Sequence, residues 1–564
     1  MRLRTTLATA GAAASLVVTG LITAGPANAA VLACGSTVTQ STTLTANVGP
    51  CTGDGLIITK SNVTLNLNGF KVTGKKRPGD QAGIRVVNTA NPPAGLTGVT
   101  IRNGTVTGFD AGVVIFGGSG NTVTGMTVQN NVNDLRDGDC DLGDGINLTN
   151  SDNNTVSSNN VVGNGPFGGI SLVGDSDGNQ IKNNTLVGNN IPGALGCGNG
   201  GFGNENEGVR IEGPGANGNV VNNNNVSQSG IAGIGVHANV GCRNNPQPTD
   251  EPNNDFNTIT NNTVTGSANA GESDGIKVLE VGPFGTVVCA AANLTITGNT
   301  SSNNERNGIE IPATSVNNTI NNNTVNANGQ DGIHLEGPIF TNTFTDIGPT
   351  VLDLITPNQP TFTAGTDFAA LSGSGSGDVT GKLVAIGPID VTAPIPFDQS
   401  ASGCTAADFT NAGFQPGDIA LIQRGFCDRS LKVQNAIDAG ASAVVFFNEG
   451  SPGREGLIVA GVNPVNIPVV DATFATGQAL FNATQAGPVT IHVATNTTNV
   501  RTQVNVGAEN NTLNANTGFN NAQVDGRDDN PHCDNNHWIA NNFGTVNQRC
   551  VKANGGTGAV KPIV

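Results

Sequence analysis

The sequence predicts a mainly β chain: a solenoid of short stacked strands with a small α/β domain inserted near its C-terminal end. Three observations predict it. A Gly-apolar-x-apolar tetrad recurs nine times, two further short strand signals lie between successive tetrads, and the Asn-rich pattern stops near Thr341 and resumes at Asn510.

The tetrads are Gly83-Ile84-Arg85-Val86, Gly112-Val113-Val114-Ile115, Gly145-Ile146-Asn147-Leu148, Gly169-Ile170-Ser171-Leu172, Gly208-Val209-Arg210-Ile211, Gly233-Ile234-Gly235-Val236, Gly275-Ile276-Lys277-Val278, Gly308-Ile309-Glu310-Ile311 and Gly332-Ile333-His334-Leu335. The shortest intervals, from 145 to 169 and from 308 to 332, are 24 residues, and longer intervals are the same unit with a loop added. Between tetrads come signals such as Asn154-Thr155-Val156 then Asn160-Val161-Val162, and Asn318-Thr319-Ile320 then Asn323-Thr324-Val325. Each unit therefore holds three short strands, with Asn or Gly at corners that need left-handed backbone. One such turn cannot bury its apolar face, whereas stacking turns about 4.8 Å apart buries a continuous apolar column and lets equivalent asparagines form amide ladders.

This pattern resembles the right-handed parallel β-helix of the pectate-lyase-like superfold over residues 34–340 and 505–552. A leucine-rich repeat lacks support, because neither its Leu-rich signature nor its helical segment is present. Solenoid ends need protection. Residues 528–550, with Cys533, Trp538, Phe543 and Cys550, read as a closing cap. A calcium site on Asp525, Asp528, Asp529 and Asp534 is the alternative there.

The N-terminus carries Arg2 and Arg4, an apolar stretch from Ala13 to Ala24 and then Ala27-Asn28-Ala29, which reads as an export signal over 1–29. A lipid-attachment box ending at Cys34 is the competing reading. Export to the cell exterior permits disulfides, and the ten cysteines can all pair; Cys34 with Cys51, Cys404 with Cys427 and Cys533 with Cys550 are the close pairs, leaving Cys140, Cys197, Cys242 and Cys289 unassigned. The formal charge of −17 excludes nucleic acid as a natural partner, and no stretch is apolar enough for membrane insertion. The expected domains are the β-helix over 30–340, the insertion over 341–506, and a last turn, cap and tail over 507–564. A monomer is expected.

The insertion contains a strand at Asp418-Ile419-Ala420-Leu421-Ile422, a helix from Ser430 to Ala439 with Ser430 as N-cap and Gly440 as stop, and a buried strand at Ala443-Val444-Val445-Phe446-Phe447. With Arg424-Gly425, Cys404 and Cys427, Lys432, Asn435-Ala436, Ala439-Gly440-Ala441 and Ile467-Pro468-Val469, it resembles the protease-associated domain. That resemblance implies a non-catalytic module that binds peptides or proteins or gates a neighbouring site. HExxH does not occur, and a peptidase is not expected.

Chemistry is expected on one face. Outward or flanking positions of the tetrad strand hold Asp144, Asn147, Glu207, Arg210, Glu212, His237, Asp274, Lys277, Glu310, Asp331, His334 and Glu336, while the other two strands carry mostly Asn, Thr and Ser. Asp274, Lys277, Glu310, Asp331 and His334 are the candidate catalytic residues, because adjacent turns bring a carboxylate to a cation or imidazole. A lyase needs a base beside a charge that neutralises a uronate, and a hydrolase needs two carboxylates. The bland alternative is a solvated face of cross-strand charge pairs. The polygalacturonase-like hydrolase signature, an Asn-Thr-Asp with a downstream Asp-Asp and Gly-His-Gly, is missing as a set, since neither Asn-Thr-Asp nor Gly-His-Gly occurs. Asp137, Asp139, Asp141 and Asp144 form a candidate calcium loop, although no cofactor is required. Two functions follow: binding or cleavage of extracellular polysaccharide by a secreted protein, or a non-enzymatic secreted scaffold that holds a protein or peptide partner.

Overall fold

The computed structural model describes residues 28–75, 81–88, 95–133, 142–191, 206–213, 215–237, 254–268, 273–279, 290–392, 400–458 and 461–561. The export signal, the acidic loop bearing Asp137, Asp139 and Asp141, and Cys140, Cys197, Cys242 and Cys289 lie outside the described residues. The chain forms two compact units, Met1–Ile339 with Asn505–Val564, and Phe340–Val504.

In the first unit, successive turns pair strand on strand in three parallel ladders. The tetrads lie on one of them: Asp144–Thr149, Gly168–Val173, Glu207–Glu212, Ala232–His237, Asp274–Leu279, Ile309–Ile311 and Ile333–Leu335 follow in order. Their apolar residues pair in register, Ile146 with Ile170, Val209 with Ile234 and Ile276 with Ile309, and all are fully buried. β-Branched side chains suit this pleated column. The tetrad glycine has a packing cause: a Cβ on Gly145 would lie 2.5 Å from the Gly169 carbonyl oxygen one turn along.

The corners explain the many Asn-Asn pairs. In Asn183-Asn184, Asn223-Asn224 and Asn261-Asn262 the first residue takes positive φ, 57°, 53° and 55°, and the second turns inward. Inward asparagines then stack: Asn159, Asn184, Asn224, Asn262, Asn299, Asn323 and Asn516 each pass an amide hydrogen to the next side-chain oxygen at 2.9–3.0 Å, the last of them to Asn541. The ladders cross the insertion without a break, since Thr319 pairs with Thr512, Thr324 with Thr517 and Ile333 with Gly526.

Disulfides Cys34–Cys51 and Cys533–Cys550 staple the two ends. In the C-terminal segment Trp538 is buried against Phe543, and its Nε1 donates to Asp528 at 2.8 Å.

The second unit is a seven-stranded sheet in the order Val351–Thr356, Val489–Thr495, Gly377–Ala385, Ile419–Gln423, Ala443–Phe447, Val469–Ala472, Phe368–Ala370. Helices Ala406–Asn411, Arg429–Asp438 and Phe474–Ala486 complete it, with an apolar core on each sheet face. The middle helix starts one residue before the predicted position. Its N-cap is Asp428, whose carboxylate accepts from Ser430 N and Leu431 N, while Ser430 Oγ accepts instead from Asn463 N. Gly440 stops it with φ 87°. Beside the Cys404–Cys427 disulfide, the buried Lys432 amine donates to the carbonyls of Ser400, Ser402 and Gln423, and burial lowers its pKa to about 8.

Candidate functional site

The middle position of the tetrad strand reads, rung by rung, Asn147, Ser171, Arg210, Gly235, Lys277, Glu310, His334 and Arg527. The residue before the glycine turns toward this column. Asn147 Nδ2 donates to Asp144 at 2.8 Å, Lys277 Nζ lies 3.1 Å from Asp274, Arg210 Nε lies 3.8 Å from Glu207, and Asn307 donates to Glu310. The outward or flanking positions do not form the solvated face that was the bland expectation. Asp144, Glu207, Asp274, Asp331, Glu310, Arg210 and His334 are all buried, because each folds against a partner on its own or the next rung.

Two clusters result. In the first, Ser171 Oγ and Asn147 donate to Asp144, and His237 Nε2 lies 2.9 and 3.0 Å from the two Glu207 oxygens. Glu207 reaches His237 across Gly235, where a Cβ would stand 1.7 Å from its Oε1. Glycine is thus the residue that leaves room for this carboxyl. Arg210 pairs with Glu212 and stacks over the Phe167 ring at 5.1 Å. Burial raises the Asp144 pKa, and it pushes Glu207 up to about 8 against the pull of Arg210 and Lys277.

The second cluster gathers the predicted catalytic residues. Asp274 holds Lys277 and lies 3.8 Å from Arg306. Glu310 Oε2 accepts from Asn307 and lies 3.1 Å from His334 Nδ1, and His334 Nε2 lies 3.1 Å from Asp529. Arg527 bridges Asp529 at 2.7 Å and Asp331 at 3.2 Å. Burial alone would lower the His334 pKa, but Glu310 and Asp529 outweigh it and raise it to about 10. His334 is therefore an imidazolium at neutral pH, a fixed positive charge. Partial burial opposes ionisation of Asp529, yet hydrogen bonds from His334 and Arg527 hold it down at about 2. Burial raises Asp331, and burial together with neighbouring Glu310 raises Glu336 to about 7.

Arg527, Arg306 and Asn307 belong to the second cluster and were not legible as candidates, while Asp529, legible only as a carboxylate of the cap, belongs to it too. Arg527 stands where a tenth tetrad would place its middle residue, but the flanking apolar positions hold Gly526 and Asp528, so the pattern is lost. Asp144 is the one described member of the candidate calcium loop, and its oxygens meet Asn147 and Ser171. In the cap, Asp525 accepts from Asn521 and Thr545, and Asp528 from Asn530, Asn536 and Trp538. Protein donors thus meet Asp525 and Asp528, two of the four candidate carboxylates there. Among the described residues, no three His, Cys, Asp or Glu side chains converge as a metal-holding group.

Residues 51–247 match the family model described as a right handed beta helix region, and residues 364–480 match the PA domain model. The chain is a right-handed β-helix protein with an inserted PA domain. This β-helix protein is 40% identical over 136 residues to an aminopeptidase of Pseudomonas aeruginosa (strain UCBPP-PA14), which is 23% of this chain and 24% of the relative. It is 31% identical over 107 residues to a probable leucine aminopeptidase 2 of Aspergillus fumigatus, 19% of this chain and 21% of that one. The chain spans less than a quarter of the length of these curated relatives. Among solved structures, the periplasmic alginate epimerase AlgG aligns with TM-score 0.35 and 15% identity over 54% of this chain and 65% of its own. The Dettilon tailspike protein aligns with TM-score 0.32 and 14% identity, covering 63% and 77%. An aminopeptidase from Aneurinibacillus sp. strain AM-1 aligns with TM-score 0.22 and 24% identity, covering 31% and 36%.

Proposed function

We propose that this is a secreted protein whose β-helix binds extracellular polysaccharide along the charged ladder, and whose PA domain engages a protein or peptide without catalysis. One observation carries it: carboxylates and cations concentrate on one of three ladders, in two clusters, while the other two ladders present mostly Asn, Thr and Ser, with Lys71, Arg102 and Lys182 among the exceptions. A linear sugar chain is the ligand whose own repeat can follow a ladder of stacked rungs. The disulfides fit an extracellular setting, and no helix of the described residues is long and apolar enough to cross a membrane. The aminopeptidase likeness supports a peptide-facing role for the PA domain and is too short to carry peptidase activity over to this chain.

A second reading, a non-enzymatic secreted scaffold, is favoured by the burial of the row and by its internal pairing. The purified chain, titrated with acidic and neutral polysaccharides with and without calcium, separates the two. Saturable binding to one glycan class supports the first reading; no binding across the panel supports the scaffold.

A further inference from the structure

We infer that the outer edge of strand Val351–Thr356 in the PA domain is a docking edge for an extended, basic segment of a partner protein, which joins the seven-stranded sheet as an added strand. The inference rests on the reading of the PA domain as a peptide-engaging module and deepens it.

The strand begins with β-branched Val351 and ends with Ile355 and Thr356, residues that favour extended backbone, and Leu352 and Leu354 between them are buried in the core of one sheet face. It stands last in the sheet and pairs on one side only, with Val351 opposite Ala494 and Leu354 opposite Ile491. In an antiparallel pair, every second residue points its N–H and C=O away from the partner. Among the described residues, no other strand takes up those groups. An added strand can satisfy them as water does, and with fixed register. The opposite edge, Phe368–Ala370, is only three residues long.

Proteins blunt a long open edge with charges, prolines and bulges. Here Asp353 is the one charge in the strand, and Pro349 and Pro357 bracket it. Ile355 is the extra residue of a bulge between Leu354 and Thr356 and is 49% exposed. The regular edge therefore runs from Val351 to Leu354, and the segment that docks on it is short.

Two side chains select that segment. Asp353 and Ile355 alternate with the buried leucines, so both leave on the solvent side. His492 is the cross-strand neighbour of Asp353, but its Nε2 lies 2.7 Å from Asp378 instead. Among the described residues Asp353 enters no ion pair. Residues 340–504 hold thirteen Asp and Glu against six Lys and Arg, so the field of this unit favours a cation. A strand added here presents every second side chain to that face. The fitting segment carries a Lys or Arg opposite Asp353 and an apolar residue two positions away, beside Ile355.

A second copy of this chain is the poorer occupant. Two such edges paired antiparallel about Asp353 set the two carboxylates opposite each other, and paired about Leu354 they set Asp353 against Ile355.

The test uses the full chain, the variant Asp353→Lys, and a short fluorescent peptide alternating lysine and valine. Anisotropy should show saturable binding that weakens about tenfold in Asp353→Lys, and the variant should instead prefer the peptide with glutamate in place of lysine. N-methylation of alternate peptide nitrogens should abolish binding in one phase and spare it in the other, because only one set of N–H groups faces the sheet. Hydrogen exchange should slow at Val351–Leu354 in the complex. Melting curves establish that the variant is folded. Binding that survives both N-methylated phases overturns strand addition. Binding that ignores Asp353→Lys and protects amides elsewhere overturns the docking edge and leaves the peptide reading standing. No binding of this peptide or of a random peptide library overturns the peptide reading itself. A dimer of the chain that Asp353→Lys abolishes would make a second copy the occupant and overturn the foreign partner.

Discussion

The asparagine column and the charged row both stack buried polar side chains from turn to turn, yet they do so in opposite ways. Asparagine carries a donor and an acceptor, so Asn184, Asn224, Asn262, Asn299 and Asn323 satisfy one another with the same residue repeated. Like charges cannot stack in this way. The row must alternate, and its members differ at every rung: Arg210, Gly235, Lys277, Glu310, His334 and Arg527. Uniform repetition satisfies the asparagine column, whereas the row is satisfied by pairing unlike groups within and between rungs.

Breaking the uniform column should have the largest effect. Asn299→Ala removes the acceptor for Asn262 N and Nδ2 and the donor to Ile259 O and Asn323. Stability should fall by about 3–5 kcal/mol, read from the urea midpoint of the β-helix unit. A change below about 1 kcal/mol would show that the column adds little.

The row should answer to pH where the column does not. Glu336 and Glu207 have folded pKa values of about 7 and about 8, above their ordinary 4.5. The folded state therefore binds protons that the unfolded state releases. Their contribution is complete below about pH 4.5 and is lost as pH rises through 7 and 8. His334, raised from 6.5 to about 10, has the same sign: its contribution is complete below 6.5 and is lost as pH rises through 10. The β-helix unit should thus be less stable at pH 9 than at pH 5, by at most ~3 kcal/mol for the Glu336 share. Glu336→Gln should flatten the pH 5–8 part of the curve. In the PA unit Asp471, raised by burial to about 7, adds its own decline, so the two units need separate spectroscopic probes.

A smaller effect is expected at Gly235. Gly235→Ala meets a flexible carboxylate and not backbone, so Glu207 should swing away from His237 at a cost of about 1–2 kcal/mol. The alkaline sensitivity due to Glu207 should shrink with it, which a pH series of melting curves would detect. Smallest of all, joining Ile339 to Asn505 in place of the PA unit should leave the β-helix folded, because Asn323 still meets Asn516 and Ile333 still meets Gly526. Loss of its circular dichroism would mean that the rungs on either side of the insertion depend on it.

The fold was legible because repetition is a property of sequence. The tetrads and the Asn-Thr pairs identify every rung from Asp144 to Leu335, and the three short-range disulfides form as their spacing suggests. The site was legible only in part. Alternation says which way a side chain leaves a strand, but not that Glu207 crosses a glycine on the next rung to close on His237. Arg527 escaped because the rung after the insertion keeps the backbone register of a tetrad without its apolar residues, and Asp529 was legible only as a cap carboxylate. Asp428 displaced Ser430 as helix cap because an ionised carboxylate reaches two backbone N–H groups where a hydroxyl satisfies one.

The most direct test of the central claim compares one substitution in each column by glycan binding. Lys277→Gln changes the row at a half-buried position, and Thr295→Val changes the neighbouring ladder on an adjacent rung. Isotherms against the polysaccharide bound by the wild type, at a temperature where melting curves show all three proteins folded, should show at least tenfold weaker binding for Lys277→Gln and wild-type binding for Thr295→Val. Equal binding by all three proteins, or loss confined to Thr295→Val, would contradict the assignment of function to the charged row.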